Sequence, residues 1–521
     1  MMRLASRVFK IVAAALVLSL VAIGFAVVAP LKEPPLSGAA GTYVVRNINI
    51  VDVESGELIE NSTVIFDSKG ILSIQTNQLE SVPTNATVID GENLYLMPGL
   101  WDMHTHSLKL SPQLHHPLFL RHGITSIRDM SGCLDRDDSY WACPVDRQRW
   151  EEASLKQNGI SPRYHQQSSY QANGGNEVPL NFPDYFRLDT LEDARQASAF
   201  FLSQGADFIK TYSELSQEQF ENLSLAVAER GLSLAGHKPL KVPLVDAIEA
   251  QMSSIEHGRL FMFECYQLID SFRAEENPLT IYNSNTIRDI MELQDTERCS
   301  ELMELMAESE TYWVPTLTTL KMSAMSRQAA YRTDSRLVEI PLIVKALVWN
   351  PDIDRAAESG FDEDGKFVHG DYFEMVSRQV ASAKAHGVKI LAGTDNIDTY
   401  VFTGSSLHDE LSMLVEAGLT PLQALQSATI DAAKYSGKGH ELGSIQVGKK
   451  ADMILLTENP LDDVRNTRSI TGVIFNGIYF DESALLGLQQ YSIEMARSWR
   501  INLRYLANLI MSPLMRVQLA D

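Results

Sequence analysis

Cysteine is scarce in this 521-residue chain, which holds four: Cys133, Cys143, Cys265 and Cys299. None belongs to a Cys-x-x-Cys metal motif, and none is assigned to catalysis. In an oxidising compartment three pairings into two bridges exist, of which Cys133–Cys143 with Cys265–Cys299 closes the shortest loops. Positive charge is in deficit too. Against 67 Asp and Glu stand 44 Lys and Arg, a formal net charge of -23. Tight nucleic-acid binding rests on a positive field, so a nucleic-acid partner is excluded. The same surplus attracts cations at long range.

Charge of either sign is missing from 11–28, a nearly all-apolar run behind Arg3, Arg7 and Lys10. The run is long for a signal-peptide core and short for a comfortable membrane span. It leaves two readings of 1–28: a signal peptide cleaved near Gly24-x-Ala26, or a retained signal anchor. No cysteine lies nearby, which argues against a lipoprotein anchor. Both readings export the rest of the chain, to the periplasm or the outer face of the cytoplasmic membrane, because the basic flank stays inside.

At 45% hydrophobic residues the chain can bury a large core. Residues 29–41 read as a linker. From 42 to 95 short β patterns alternate with turn chemistry, as at Glu54-Ser55-Gly56 and Asp67-Ser68-Lys69-Gly70. A matching piece spans 441–484, with a hairpin across Asn476-Gly477. Neither piece has much core alone, so the two are expected to form one small β-sandwich built from both ends of the chain. Between them, 96–440 alternates strands and helices. Expected strands are 96–103, 124–128, 161–165, 208–211, 233–237, 254–257, 313–316 and 389–393, with helices at 190–204, 216–229 and 373–385. This is an α/β pattern of the (β/α)8 TIM-barrel kind. Two insertions, 131–159 and 266–312, either shape a pocket or decorate the surface. In the extension 485–521 a helix at 491–510, ended by Pro513, packs on the barrel, makes a homo-oligomer contact or lies on a membrane.

The chemistry concentrates at strand ends. His104 and His106 are two apart after the apolar run Leu96 to Trp101, so in an extended chain both imidazoles point one way and reach one metal. Asp102 shares their parity and can brace them. Lys210 ends Phe208-Ile209-Lys210, His237 ends Leu234-Ala235-Gly236-His237, His257 ends Ser254-Ile255-Glu256-His257, and Asp395 follows Ala392-Gly393-Thr394. Glu256, of opposite parity to His257, is expected to face the helices. His165 ends the third strand.

Pro98-Gly99-Leu100-x-Asp102-x-His104-x-His106, these strand ends in this order, and Gly443-x-Ile445-x-x-Gly448-x-x-Ala451-Asp452 resemble the amidohydrolase superfamily. The likeness is to its imidazolonepropionase-like and Xaa-Pro-type dipeptidase branch, over about 42–485. The resemblance implies a binuclear site. His104, His106 and Asp395 hold the more buried metal, His237 and His257 the more exposed one, and a carboxylated Lys210 with a hydroxide bridges them. Zinc suits these nitrogen and oxygen donors, with manganese or cobalt as alternatives. It further implies amide hydrolysis by that hydroxide, with Asp395 taking the proton and giving it to the leaving amine.

Substrate residues are less marked. Tyr212, two after Lys210, can donate to an oxyanion or a substrate carboxylate. Related dipeptidases carry Gly-Gly-His after the third strand, where this chain has Asn173-Gly174-Gly175-Asn176, and His165 is the candidate to compensate. A small peptide or N-acyl amino acid is the expected substrate. A cyclic amide, lactone or phosphotriester is the alternative, and a non-catalytic metal-binding or structural module is the alternative of another class.

Overall fold

The computed structural model describes residues 41–76, 83–134, 138–173, 178 and 182–518, with 10, 13–14, 17–18, 21, 23–25, 27–36 and 38 before them. Strands β1 (Tyr43–Val51), β2 (Leu58–Asp67), β3 (Gly70–Thr76), β4 (Thr87–Asp90) and β5 (Tyr95–Pro98) come first. Then follow β6 (Leu100–Thr105), β7 (Ile124–Asp129), β8 (Arg163–Gln167), β9 (Phe208–Thr211), β10 (Ser233–Gly236), β11 (Ser254–Glu256) and β12 (Tyr312–Val314). Last are β13 (Met453–Leu456), β14 (Ile470–Phe475) and β15 (Ile478–Asp481).

The two ends of the chain share one eight-stranded mixed sheet, in the order β15-β14-β13-β5-β1-β2-β3, with β4 beside β1. The pieces expected to form a sandwich are thus one continuous sheet, joined where β13 runs antiparallel to β5 from Met453 opposite Pro98 to Leu456 opposite Tyr95. β13 is buried at every position. Met453 and Leu455 enter the sheet's own core with Val45, Phe66 and Ile474, while Ile454 and Leu456 face the barrel core. Burial on both faces explains its unbroken apolar run.

The expected strand 96–103 divides at Gly99. Tyr95–Pro98 belongs to the outer sheet, and Leu100–Thr105 opens the barrel. A Cβ at Gly99 would stand 2.2 Å from Thr125 Oγ1, so the chain crosses between layers where only glycine fits. The third strand lies two residues later than expected, at Arg163–Gln167.

Strands β6-β7-β8 and β9-β10-β11-β12 form two parallel sheets. Parallel bridges Ser168–Phe208 and Ala172–Thr211 join β8 to β9. The eighth segment closes the ring through bridges Trp313–Ile390 and Thr105–Asn396, with Leu391 N donating to Trp313 O at 2.9 Å and Met103 N to Ala392 O at 3.0 Å. The α/β fold is therefore an eight-segment TIM barrel with a mixed sheet from both chain ends. Helices sit where capping chemistry puts them. Leu191–Gln204 starts at Thr190, which with Asp193 makes a capping box, and stops at Gly205. Gln217–Ala228 starts the same way at Ser216 with Gln219.

The expected C-terminal helix is two, Glu482–Arg497 and Trp499–Met511, broken at Ser498 with ψ 125°, and Pro513 opens a third, Pro513–Gln518. Ile501 and Tyr505 are buried in a satellite core with Leu110, Trp349 and Phe402. Both cysteine pairs are bonded as Cys133–Cys143 and Cys265–Cys299. Among the described residues no helix is long and apolar enough to cross a membrane. Most of 1–28, and Asn176, lie outside the described residues.

Candidate metal centre

Five barrel segments deliver their carboxyl ends to one place. Among the described residues, one donor atom each of His104, His106 and Asp395 converge within 4.8 Å of one another. Asp395 Oδ1 is 2.8 Å from His106 Nε2 and 3.3 Å from His104 Nε2, and its Oδ2 is 3.7 Å from His257 Nδ1. The His104 and His257 rings lie 4.9 Å apart, and the His257 and His237 rings 4.5 Å apart. Lys210 shares a cavity of about 230 Å³ with His106, Tyr212, Trp141 and Tyr170. Gly393 admits the eighth segment: a Cβ there would stand 2.8 Å from His104 N.

Backbone strain gathers here. His257, Thr316 and Asp395 adopt φ of 74°, 43° and 63°. Non-glycine residues in this region cost energy and persist only where the surroundings fix them. The turn at His257 breaks the parity expected for its strand. Glu256 therefore faces inward, not toward the helices. Its Oε2 accepts from His104 Nδ1 at 2.8 Å, and its Oε1 from Arg128 NH2 at 2.8 Å. Burial works against its charge, yet Arg128 and His104 hold the carboxyl down at about 2. Asp102 has a different partner from the one expected. It takes Thr394 N at 3.0 Å and Thr394 Oγ1 at 2.6 Å, and so braces the backbone leading to Asp395 rather than an imidazole ring.

The donor set fits a metal. With Nδ1 donating to Glu256, His104 turns the lone pair of Nε2 toward Asp395, and Nε2 is buried without a hydrogen-bond partner. Burial, with Lys210 nearby, lowers His106 to about 4, and burial lowers His257 to about 3. Burial, His257 and Arg259 carry His237 well below the usual imidazole range. These rings are neutral at pH 7, as ligands must be. Burial opposes charge on His104, but Asp395 and Glu256 raise it. Burial likewise opposes charge on Asp395, and His104 and His106 hold it well below the carboxylate range. Burial lowers Lys210 against the pull of Asp395 and Glu256.

Exposure does not separate the two expected ligand sets. The side chains of His106 and Asp395 are 17% and 15% exposed and that of His257 14%, while His104 is closed off. What separates them is bracing. His257 Nδ1 meets Thr316 Oγ1 at 2.8 Å, and His237 Nδ1 meets Ser213 Oγ at 2.8 Å and Arg259 NH2 at 2.9 Å. Tyr212 stacks on His237 at 4.1 Å.

His165 is not brought to this cluster. It stacks on Trp101 at 4.3 Å, pairs with Ser126 Oγ at 3.1 Å and feels the charges of Arg163 and Lys438. His408 is buried between Thr467 and the His122 carbonyl. Three contributors escaped the sequence reading. Arg128 lies near the end of the buried strand β7 as Lys210 does in β9, and a cation in that position was a signal open to use. Glu256 and Trp141, whose ring is 6.1 Å from His106, depend on a local turn and on the insertion. The first insertion thus supplies pocket wall at Ser131, Gly132 and Trp141.

The structure shares its fold with bottromycin amidohydrolase (TM-score 0.65, 19% identity, 87% of this chain and 90% of that one). It also resembles a Xaa-Pro dipeptidase with bound methionine in its active site (TM-score 0.59, 21% identity, 85% and 100%). The model of the amidohydrolase family matches residues 365–478. An adenine deaminase of Staphylothermus marinus is 39% identical over 88 residues, 16% of this chain and 14% of that protein, so the curated relative is matched over a small part of its length. The chain carries the amidohydrolase fold, with the family's sequence pattern over its last barrel segment and the returning sheet.

Proposed function

We propose that this protein is a binuclear metal-dependent amidohydrolase that cleaves the amide bond of a small peptide or N-acyl amino acid. The observation that carries the reading is the convergence of His104, His106 and Asp395, with His237, His257 and Lys210 around them, at the carboxyl ends of a TIM barrel. That face is where barrel enzymes hold their chemistry. The solved relatives of the same fold include a protein described as a Xaa-Pro dipeptidase, which supports the peptide class.

His104, His106 and Asp395 would hold one cation and His237 and His257 the other. Burial of Lys210 favours its neutral amine. Carboxylated by carbon dioxide, with an N–C bond formed and a proton released, Lys210 would become a carbamate whose oxygens could serve as further ligands. When bound, divalent cations, zinc being the best match to these donors, acidify water and polarise the scissile carbonyl. Asp395 accepts the proton of the attacking water and returns it to the leaving amine, which keeps the nitrogen from departing as an anion. Tyr212, held flat against His237, is placed to donate to the substrate. Glu256 fixes the His104 tautomer, and Arg128 keeps Glu256 ionised. Trp141, with Ser131 and Gly132, forms pocket wall beside His106.

The test is turnover of a dipeptide and N-acyl amino acid panel by metal-replete full-length protein, with Asp395→Asn as control. Hydrolysis of a related group of substrates, lost in the variant, is expected. Protein shown to hold two metals that cleaves none of them would overturn the peptide reading and point to lactones, cyclic amides or phosphotriesters.

A further inference from the structure

The C-terminal extension carries charge opposite to the rest of the molecule. From Met495 to Ala520 there are four arginines, Arg497, Arg500, Arg504 and Arg516, and no Asp or Glu, in a chain of net charge -23. The other stretch of this kind is the N-terminal one, where Arg3, Arg7, Lys10 and Lys32 precede the first acid, Glu33. The structure puts the two together. Arg504 donates through Nε to Val27 O and through NH2 to Ala29 O at 2.8 Å. Arg500 NH2 donates to Ala29 O at 3.0 Å and Pro30 O at 3.1 Å. Tyr491 OH donates to Lys32 O. Two cations thus satisfy carbonyls of 27–30, where helical residues 27–28 end, a terminus that a helix dipole makes receptive to positive charge.

Both partners then present apolar side chains to water. Leu18, Val21, Phe25 and Val28 are each at least 64% exposed. On Trp499–Met511, Ile501 and Tyr505 face the protein. Trp499, Leu503, Leu506 and Ile510 follow an i, i+4, i+7, i+11 spacing along another face, with Trp499 and Ile510 both 60% exposed. An apolar stripe ending in an indole, flanked by arginines, is the composition of an interfacial helix.

We propose that Trp499–Met511 and the attached residues 27–30 form a membrane-docking surface, whose partner is the headgroup and upper acyl layer of an anionic phospholipid bilayer. The N-terminal segment is retained in this arrangement: release after Ala26 would leave a new ammonium at Val27, against Arg504. The proposal is independent of the chemistry assigned to the metal centre.

Full-length protein, reconstituted from detergent into phosphatidylethanolamine vesicles with or without phosphatidylglycerol, tests it. Lipids brominated high on the acyl chain quench an indole that touches them. Part of the emission of the wild type is expected to be quenched, and Trp499→Phe to lose that part. Phosphatidylglycerol should strengthen the quench, and Arg500→Glu with Arg504→Glu should remove the dependence. If that pair misfolds, the Trp499→Phe comparison decides alone. Vesicle-bound protein whose Trp499-dependent emission is untouched would overturn the proposal. So would a lipid-independent dimer that Trp499→Ser with Ile510→Ser dissolves, since the stripe would then join two copies.

Discussion

The two sides of the metal centre are built from the same imidazoles and braced by opposite means. Behind His104 stands an ionised carboxylate, Glu256, itself locked by the buried Arg128. Behind His257 stands a neutral hydroxyl, and behind His237 a hydroxyl and the guanidinium of Arg259. A carboxylate raises the basicity of a ligating imidazole, and a neighbouring cation lowers it. In the proposed two-metal site the His104 side would keep its metal and the His237–His257 side would hold its own loosely, although His106, Asp395 and His257 are exposed to nearly the same degree. Burial alone does not rank metal sites, because the group behind the ligand sets the electron density in front of it.

The comparison breaks most completely at Asp395, which touches both sides. Asp395→Asn is expected to lower turnover by about 1000-fold or more, since the proposed ligand and proton carrier are lost together. Activity assays paired with metal analysis check this. Glu256→Gln should weaken the first metal by about 10–100-fold and, by leaving Arg128 buried without its anion, cost roughly 3–5 kcal/mol of stability. Chelator titration of the wild type should remove metal in two steps, and Glu256→Gln should merge them. Arg259→Gln works in the other direction: it should tighten the weaker step by about tenfold, the change that one nearby charge produces. If chelator removes both metals of the wild type together, the asymmetry is wrong.

A pH experiment sharpens the looser side. Glu410 accepts from Leu317 N and Thr318 N beside Thr316, and burial pushes its carboxyl up to about 8, with Asp102 adding to the rise. An unfolded glutamate titrates near ~4.3. The folded state binds this proton more tightly, so the contribution to stability is complete below that value and is lost as pH rises through about 8. Melting temperature should fall across this window, and Glu410→Gln should flatten the fall. The smallest effect belongs to His165. His165→Ala should change turnover by less than about twofold and cost about 1 kcal/mol for the lost stack on Trp101. Calorimetry with the same substrate assay checks it.

How far the sequence could be read follows from what each residue depends on. His104, His106, Lys210, His237, His257 and Asp395 sit where an apolar strand ends, and a strand end is visible in the pattern. The outer sheet was visible as two incomplete pieces whose turn residues mark their edges. Glu256 was misplaced because alternation presumes an extended chain, and His257 leaves that conformation at φ 74°. Asp102 had the right parity but serves Thr394, which no spacing along β6 reveals. His165 satisfied the order of the strands and nothing more. Trp141 reaches His106 from an insertion, and the path of an insertion is set by what it packs on.

The pairing of β5 with β13 also has a consequence for biosynthesis. The ribosome delivers β1 to β5 first, and the partner strand emerges only after the whole barrel. Until then the edge of β5 offers bare backbone groups to any other strand. A chain still being made therefore carries this open seam until β13 arrives, an interval in which a holding chaperone would shield it. A nonsense change just before Met453 would spare each of the six candidate strand-end ligands, yet strip the first sheet of the strand that completes it.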